Sequence, residues 1–431
     1  MSYRIDNVLL FTGIDWVSNA CVYIDGARII YAGAQAKAPL FDIPHDYING
    51  HGCIAMPGLS NAHTHLSMTL LRGVGSDQVL LDWLENAVWP AEKRLTPAFA
   101  RAGVKLGLLE QLRFGVTNFA DQYFYMDDVA EAVIESGARA LLACGLLGSN
   151  HEHHKQQLAK NVALFRQYHG AAEDRVRVGI GTHGEYTNTD ESIRAHAKAA
   201  QELGAMIHVH IAETRAETEG CKSRRNGRSP VRYLADMGLL DIPTLAAHCV
   251  WVDDADMDIL AEKGVAVAHN PVSNLKLASG VMPLPRMLEK GIQVSLGTDG
   301  AASNNNLNLW EEVKLTGILH KGVSGDPTLI SPKQVLAMAT RNGARAMGFE
   351  NVGLLLFGWH ADMILLEAGL PHRVPCVDPA ADLVYAAQGA DVRMTMVDGR
   401  VLYLDGEYLT LDKERIITEA QKAADVMIYG R

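Results

Sequence analysis

The stretch PGLSNAHTHLSMTLLRG (57–73) sets His63 and His65 one residue apart, between a Pro-Gly turn and an apolar run. On a strand, residues i and i+2 point to the same face. Two neutral imidazoles on one face make half of a transition-metal site. An isolated H-x-H is more often a buried, hydrogen-bonded pair, because histidine is intermediate in burial. The rest of the chain shifts that balance. His183 lies in RVRVGIGTHGE, His210 in MIHVHIAE, His248 in TLAAHCVW and Asp299 in IQVSLGTDG, each towards the end of a strand-like run. Independent core histidines have no reason to gather at the same end of successive strands. Imidazoles joined by a carboxylate form a donor set suited to a divalent cation.

Such residues meet only if the elements carrying them converge. From about residue 58 the sequence alternates short runs with longer helical patterns. The strand-like runs are SNAHTH (60–65), GVTNFADQYF (115–124), ARALLACGLL (138–147), RVRVGIGTHGE (175–185), MIHVHIAE (206–213), TLAAHCVW (244–251), GVAVAHNPVSN (264–274) and IQVSLGTDG (292–300). MDDVAEAVIES (126–136) and ESIRAHAKAAQEL (191–203) are among the helical segments. Strand alternating with helix predicts parallel pairing. Eight such units close into a barrel whose chemistry sits at the C-terminal ends of the strands. The predicted fold class is α/β, a (β/α)8 TIM-like barrel over 58–352. A small flanking β-sandwich is built from both chain ends, 1–57 and 353–410. There CVYIDGARIIYAG and RMTMVDGRVLYLDGEYL read as antiparallel hairpins. KERIITEAQKAADVMIYG (413–430) reads as a helix, which makes 411–431 a C-terminal helical unit.

Composition narrows the partners. The 431 residues carry 39 basic and 50 acidic side chains, net −11, without Lys/Arg tracts. That balance disfavours nucleic acid and anionic membranes as partners. No apolar stretch approaches the ~20 residues that cross a bilayer. The N-terminus lacks a secretory cleavage pattern. The six cysteines are scattered without a C-x-x-C pair, against a disulfide framework or a cysteine-built zinc site. A cytoplasmic protein is expected, with self-association into a homo-oligomer left open.

PGLSNAHTH, HIAET, AHCVW, HNPVSNLKLASG and LGTDGAASNNN together resemble the amidohydrolase superfamily, and within it the 5′-methylthioadenosine/S-adenosylhomocysteine deaminases. The resemblance runs through nearly the whole chain, including LVYAAQGADVRMTMVDGRVL (383–402). It implies one divalent ion per subunit, zinc by preference, held by His63, His65, His210 and Asp299. It makes Glu213, His248 and Asp299 catalytic: Glu213 shuttles a proton, and His248 orients water at the ion without needing to ligate it. Glu92, His183, Glu213 and Asp299 then contact substrate, Glu92 at the ribose hydroxyls and His183 at the imidazole edge of the purine. RVRVGIGTHGEY lacks the lysine that bridges two metals in some superfamily members, so a mononuclear site is implied. Read without the resemblance, Glu213 could begin a solvated, charge-rich helix, but its place after a metal-type histidine at a strand end favours the shuttle, whereas Glu92 could lie on an amphipathic surface. HEHH (151–154) reads as a solvated polar loop.

A divalent ion makes water nucleophilic at neutral pH, and a carboxylic acid at purine N1 makes C6 electrophilic. The implied reaction is hydrolytic deamination of an adenosine-type nucleoside to its inosine analogue and ammonia, chemistry that recurs in zinc deaminases. Cys144 stands where the resemblance places an arginine for the S-adenosylhomocysteine carboxylate, and a thiol cannot make that bidentate contact. In THGEYT, Gly184-Glu185 replaces the usual small residue and proline, and a carboxylate there repels an anion. Both changes favour 5′-methylthioadenosine, 5′-deoxyadenosine or adenosine, unless Arg72 or Arg225 compensates. The rivals are hydrolysis of another N-heterocycle (guanine, pterin or triazine) and a metal-free scaffold.

Overall fold

Period-two alternation in the N-terminal residues gives β1 (Ser2–Phe11), β2 (Trp16–Asp25), β3 (Arg28–Ala34), β4 (Asp46–Asn49) and β5 (Cys53–Pro57). The computed structural model describes residues 1–147 and 151–430. The barrel strands follow as β6 (Leu59–Thr64), β7 (Val116–Tyr123), β8 (Arg139–Cys144), β9 (Val176–Val178), β10 (Ile180–Thr182), β11 (Ile207–Ile211), β12 (Thr244–His248), β13 (Ala266–His269) and β14 (Val294–Leu296). Their pairings are parallel throughout. Almost every residue in them is buried, as a sheet covered by crossover helices requires. The helices predicted at 126–136 and 191–203 appear as Met126–Ser136 and Asp190–Leu203.

The run expected as a single fourth strand is two short ones. Gly179 N–H donates to Leu142 O (2.9 Å), whereas the next amide, Ile180, donates to Met206 O (2.8 Å). A Cβ on Gly179 would lie 2.9 Å from that Met206 oxygen, so the change of partner needs a residue without one. The barrel is therefore two hydrogen-bonded arcs, β6–β9 and β10–β14. At the other seam, Asp299 N–H donates to His63 O (2.9 Å) and Thr298 N–H to Asn61 Oδ1 (2.9 Å).

The chain ends join through β15 (Met363–Glu367), β16 (Val392–Val397), β17 (Arg400–Leu404) and β18 (Glu407–Tyr408). Their hairpins are antiparallel, and Asp398-Gly399 turns one of them with φ of 48° and 68°. β1 also pairs in parallel with β4 and β5. That pairing makes the expected sandwich a continuous nine-stranded mixed sheet, ordered β18-β17-β16-β15-β5-β1-β2-β3 with β4 beside β1. Alternation divides its faces. Ile54, Met56, Ile364 and Leu366 pack into the main core. Ala55, Met363 and Leu365 enclose a second core with Ile5, Val22 and Ile29.

Arg139, at the start of β8, fastens this sheet to the barrel. Its guanidinium, 1% exposed, bonds Asp362 (2.8 Å) and Asp398 (2.6 Å). His360 lies against the same carboxylates. The cation those acids need is therefore supplied by the chain itself. The C-terminal helix, Lys413–Tyr429, buries Ile416, Ala420, Ala423 and Met427, a stripe at helical spacing. No described helix is long and apolar enough to cross a membrane. The six cysteines are unpaired.

Candidate metal centre

His63 ends in the tip of β6, and His65 follows it immediately. His210 lies on β11 and His248 ends β12. Asp299 comes just after β14. His65 Nδ1 donates to Gln122 O (2.5 Å) and His210 Nδ1 to His183 O (2.6 Å). Backbone carbonyls only accept, so both rings carry a proton on Nδ1, and in the neutral tautomer that ligates a metal the lone pair is on Nε2. Those two Nε2 atoms nevertheless face each other at 3.3 Å, and His65 Nε2 faces Asp299 Oδ1 at 3.3 Å. In that tautomer no proton is left for either contact. His63 Nε2 lies 3.5 Å from the same carboxylate oxygen and has no hydrogen-bond partner. Converging acceptors without donors fit a cation between them. The residues present thus suit a divalent ion, and the four expected ligands fall in two overlapping groups that share His63, one with His210 and His248 and one with His65 and Asp299.

Burial favours the neutral form of His63 and His210, the form in which histidine ligates a metal. It pushes His63 down to about 4 and His210 well below the ordinary histidine value. The residues matched by the family model for the amidohydrolase family are 54–402, which spans both seams of the barrel and the whole cluster. The chain belongs to the amidohydrolase family.

A protein named 5′-deoxyadenosine deaminase from Methanosarcina mazei is 45% identical over 413 residues, covering 96% of this chain and 94% of that one. One named 5-methylthioadenosine/S-adenosylhomocysteine deaminase from Dictyoglomus thermophilum is 46% identical over 384 residues, 89% of this chain and 90% of its own. Among solved structures, a zinc-bound adenosine deaminase from Xanthomonas campestris superposes with a TM-score of 0.94 at 28% identity, covering 99% and 98% of the two chains. This amidohydrolase is an enzyme with an α/β barrel fold.

One cavity at the C-terminal ends of its strands brings Glu92, His183, Glu213, His248, Asp299 and His65 together. Glu213 is neither solvated nor on a helix surface: it is 7% exposed, with Oε2 3.9 Å from His248 Nε2. Burial raises its carboxyl above the usual range, against the pull of His248. His248 Nδ1 donates to Asn274 Oδ1 (2.8 Å), leaving Nε2 towards the cavity. Burial works against the charged ring of His248, but the carboxylates of Glu213 and Asp299 outweigh it and raise the pKa. His183, pushed to about 4 by burial, is neutral.

Several residues that hold this constellation were missed. Ser273 and Ser303 hydroxyls both donate to Asp299 Oδ2 (2.6 and 2.9 Å), and Gly300 N–H donates to Oδ1 (2.7 Å). Glu217 accepts from the amides of Ala212 (2.9 Å) and Glu213 (2.7 Å), which fixes the turn aiming Glu213. His208 lies 2.9 Å from His63 Nδ1. Its signal was present, since H-V-H places it on the face of His210. The serines and Asn274 lie in HNPVSN and GAASNNN, motifs noticed but not resolved into contacts.

Three expectations need correction. Glu185 does not confront substrate: it is fully buried and bonded by Arg224 (2.7 Å) and Arg225 (2.9 Å), so its charge is neutralised. Arg225 is spent on Glu185 and Asp190, and Arg72 on Glu110 and Asn305 O, so neither stands ready for an anion. In HEHH the side chains of 151–153 lie outside the described residues. His154 is buried rather than solvated and lies 2.6 Å from His196 Nε2.

Proposed function

We propose that the protein is a divalent-metal-dependent deaminase that releases ammonia from C6 of an adenosine-type nucleoside, with zinc as the resident ion. The observation that carries this is the facing of proton-less Nε2 atoms and Asp299 beside a buried, protonatable Glu213. His63, His65, His210 and Asp299 would hold the ion. When bound, it supplies the Lewis acidity that turns water into a nucleophile near neutral pH. Asp299 accepts a proton from that water while Ser273 and Ser303 fix its other oxygen. Glu213, raised towards protonation, donates at purine N1, making C6 electrophilic and later relaying a proton to the departing ammonia. His248 turns Nε2 to the same spot and orients the attacking water. His183 meets the imidazole edge of the base, and Glu92 accepts from the ribose hydroxyls. The catalytic barrel is proposed to span 58–352, with 1–57 and 353–410 as its flanking sheet and 411–431 as a terminal helix.

An uncharged 5′ group is the preferred one. The described lining of the cavity holds Leu80, Trp83, Leu84, Val88, Phe124 and Leu147 and no lysine or arginine. Cys144 is outside that lining, although its neighbour Gly145 is within it, so the absence of a cation there rests on the whole wall. The relative named for 5′-deoxyadenosine supports the same choice.

Ammonia release from a panel of nucleosides, free bases and triazines, using metal-analysed protein, tests the reading. Turnover of 5′-deoxyadenosine and 5′-methylthioadenosine at higher kcat/KM than S-adenosylhomocysteine is expected. Activity on guanine, pterins or triazines without nucleoside turnover, or protein free of stoichiometric metal yet fully active, would overturn it.

A further inference from the structure

We propose that Tyr123 is the positioning residue that sets Glu92 to receive a nucleoside cis-diol, and thereby sets a preference for ribo- over deoxynucleosides; this rests on the assignment of Glu92 to the ribose. Tyr123 is the last residue of β7, buried and held by the barrel wall. Glu92 ends the short helix Trp89–Glu92 and lines the same cavity as Tyr123. The Tyr123 hydroxyl donates to Glu92 Oε1. Two residues on, the Tyr125 hydroxyl donates to Leu95 O (3.2 Å), so the residues at and after the end of β7 hold both that helix and the turn that follows it.

An ionised carboxylate only accepts hydrogen bonds, and a phenol has one proton to give. With Tyr123 on Oε1, the other carboxylate oxygen keeps its lone pairs for two adjacent O–H donors. A 2′,3′-diol presents that pair. Without the phenol, Glu92 keeps its charge but loses the bond that selects its rotamer. The loss would then fall on substrates bearing the diol, and in KM rather than kcat, because ribose contacts are equal in ground and transition states.

The test compares adenosine with 2′,3′-dideoxyadenosine in wild type, Tyr123→Phe and Glu92→Gln, measuring kcat and KM separately. The expected result is that Tyr123→Phe lowers the ribo/dideoxy ratio of kcat/KM about tenfold through KM, and that Glu92→Gln lowers it at least as far. An unchanged ratio in Tyr123→Phe, or an equal loss on both substrates, overturns the inference. If Glu92→Gln lowers the ratio while Tyr123→Phe does not, Glu92 keeps its role and Tyr123 loses its own. A ratio preserved in Glu92→Gln removes the ribose assignment itself.

Discussion

At the residue scale, hydrogen-bonding arithmetic decides what the centre is for. Carbonyls on Nδ1 of His65 and His210 turn their Nε2 atoms to each other, with Asp299 beside that of His65, and a cation between them reconciles the three. Glu213 stands outside that donor set, in reach of His248. Glu213→Gln should therefore retain stoichiometric metal while kcat falls about 10²–10⁴-fold, the usual share of a proton-transfer group. Atomic absorption with steady-state kinetics checks both halves, and unchanged turnover removes the shuttle. Asp299→Asn should lose both metal and activity, since the amide is a poorer ligand and no base. The principal histidines and Asp299 were legible because a parallel barrel forces polar residues at strand ends into one place. Ser273, Ser303 and Asn274 were not, because a hydroxyl or amide carries no signature until its partner is adjacent.

Glu185 shows the same limit at the scale of elements. Read locally, it was a free carboxylate after a strand, but its counterions arrive from the segment that follows β11. The guanidinium of Arg225 also lies over the Tyr233 ring, with 4.3 Å to the centroid. Together these contacts clamp the loop bearing His183 to the helix after Glu213, Arg215–Arg224. Removing one partner of a buried charge leaves the other uncompensated. Arg225→Ala should cost about 2–4 kcal/mol in chemical denaturation, less than full loss because Arg224 remains. Arg232→Ala, whose pair with Asp236 is largely exposed, should cost under about 1 kcal/mol. Equal losses would show that the clamp is not buried in energetic terms. The existence of eight strand units was readable from spacing. The division of the fourth was not, because a change of hydrogen-bonding neighbour leaves only a glycine behind.

Across the whole molecule, one buried guanidinium joins barrel and sheet. Burial raises the Asp398 carboxyl, but His360 and Arg139 outweigh it and hold it below the usual value. A carboxylate whose pKa is depressed on folding contributes stability above its unfolded value, about 3.9, and loses it as pH falls through the folded one. Urea midpoints followed downward from neutral pH should decline over that acid range, with a shallower decline in Asp398→Asn. An identical slope in the variant would assign acid sensitivity elsewhere. The joining of both chain ends in one sheet followed from their alternating patterns. Its parallel β1–β5 pairing did not, since register between distant segments leaves no local trace.

The two arcs of the barrel also share their chemistry unequally along the chain but evenly in space. His63 and His65 belong to the first arc, while His210 and Asp299 belong to the second. An ion held by all four would add a cross-link between arcs that otherwise meet only through the few hydrogen bonds at their seams. Stripping it should lower the melting temperature, by the equivalent of about 2.7 kcal/mol when free metal had stood at a hundred times Kd. Deuterium uptake should rise first at the Gly179–Ile180 junction and at Thr298–Asp299, where the hoop is fastened, and return to its slow rate when metal is restored.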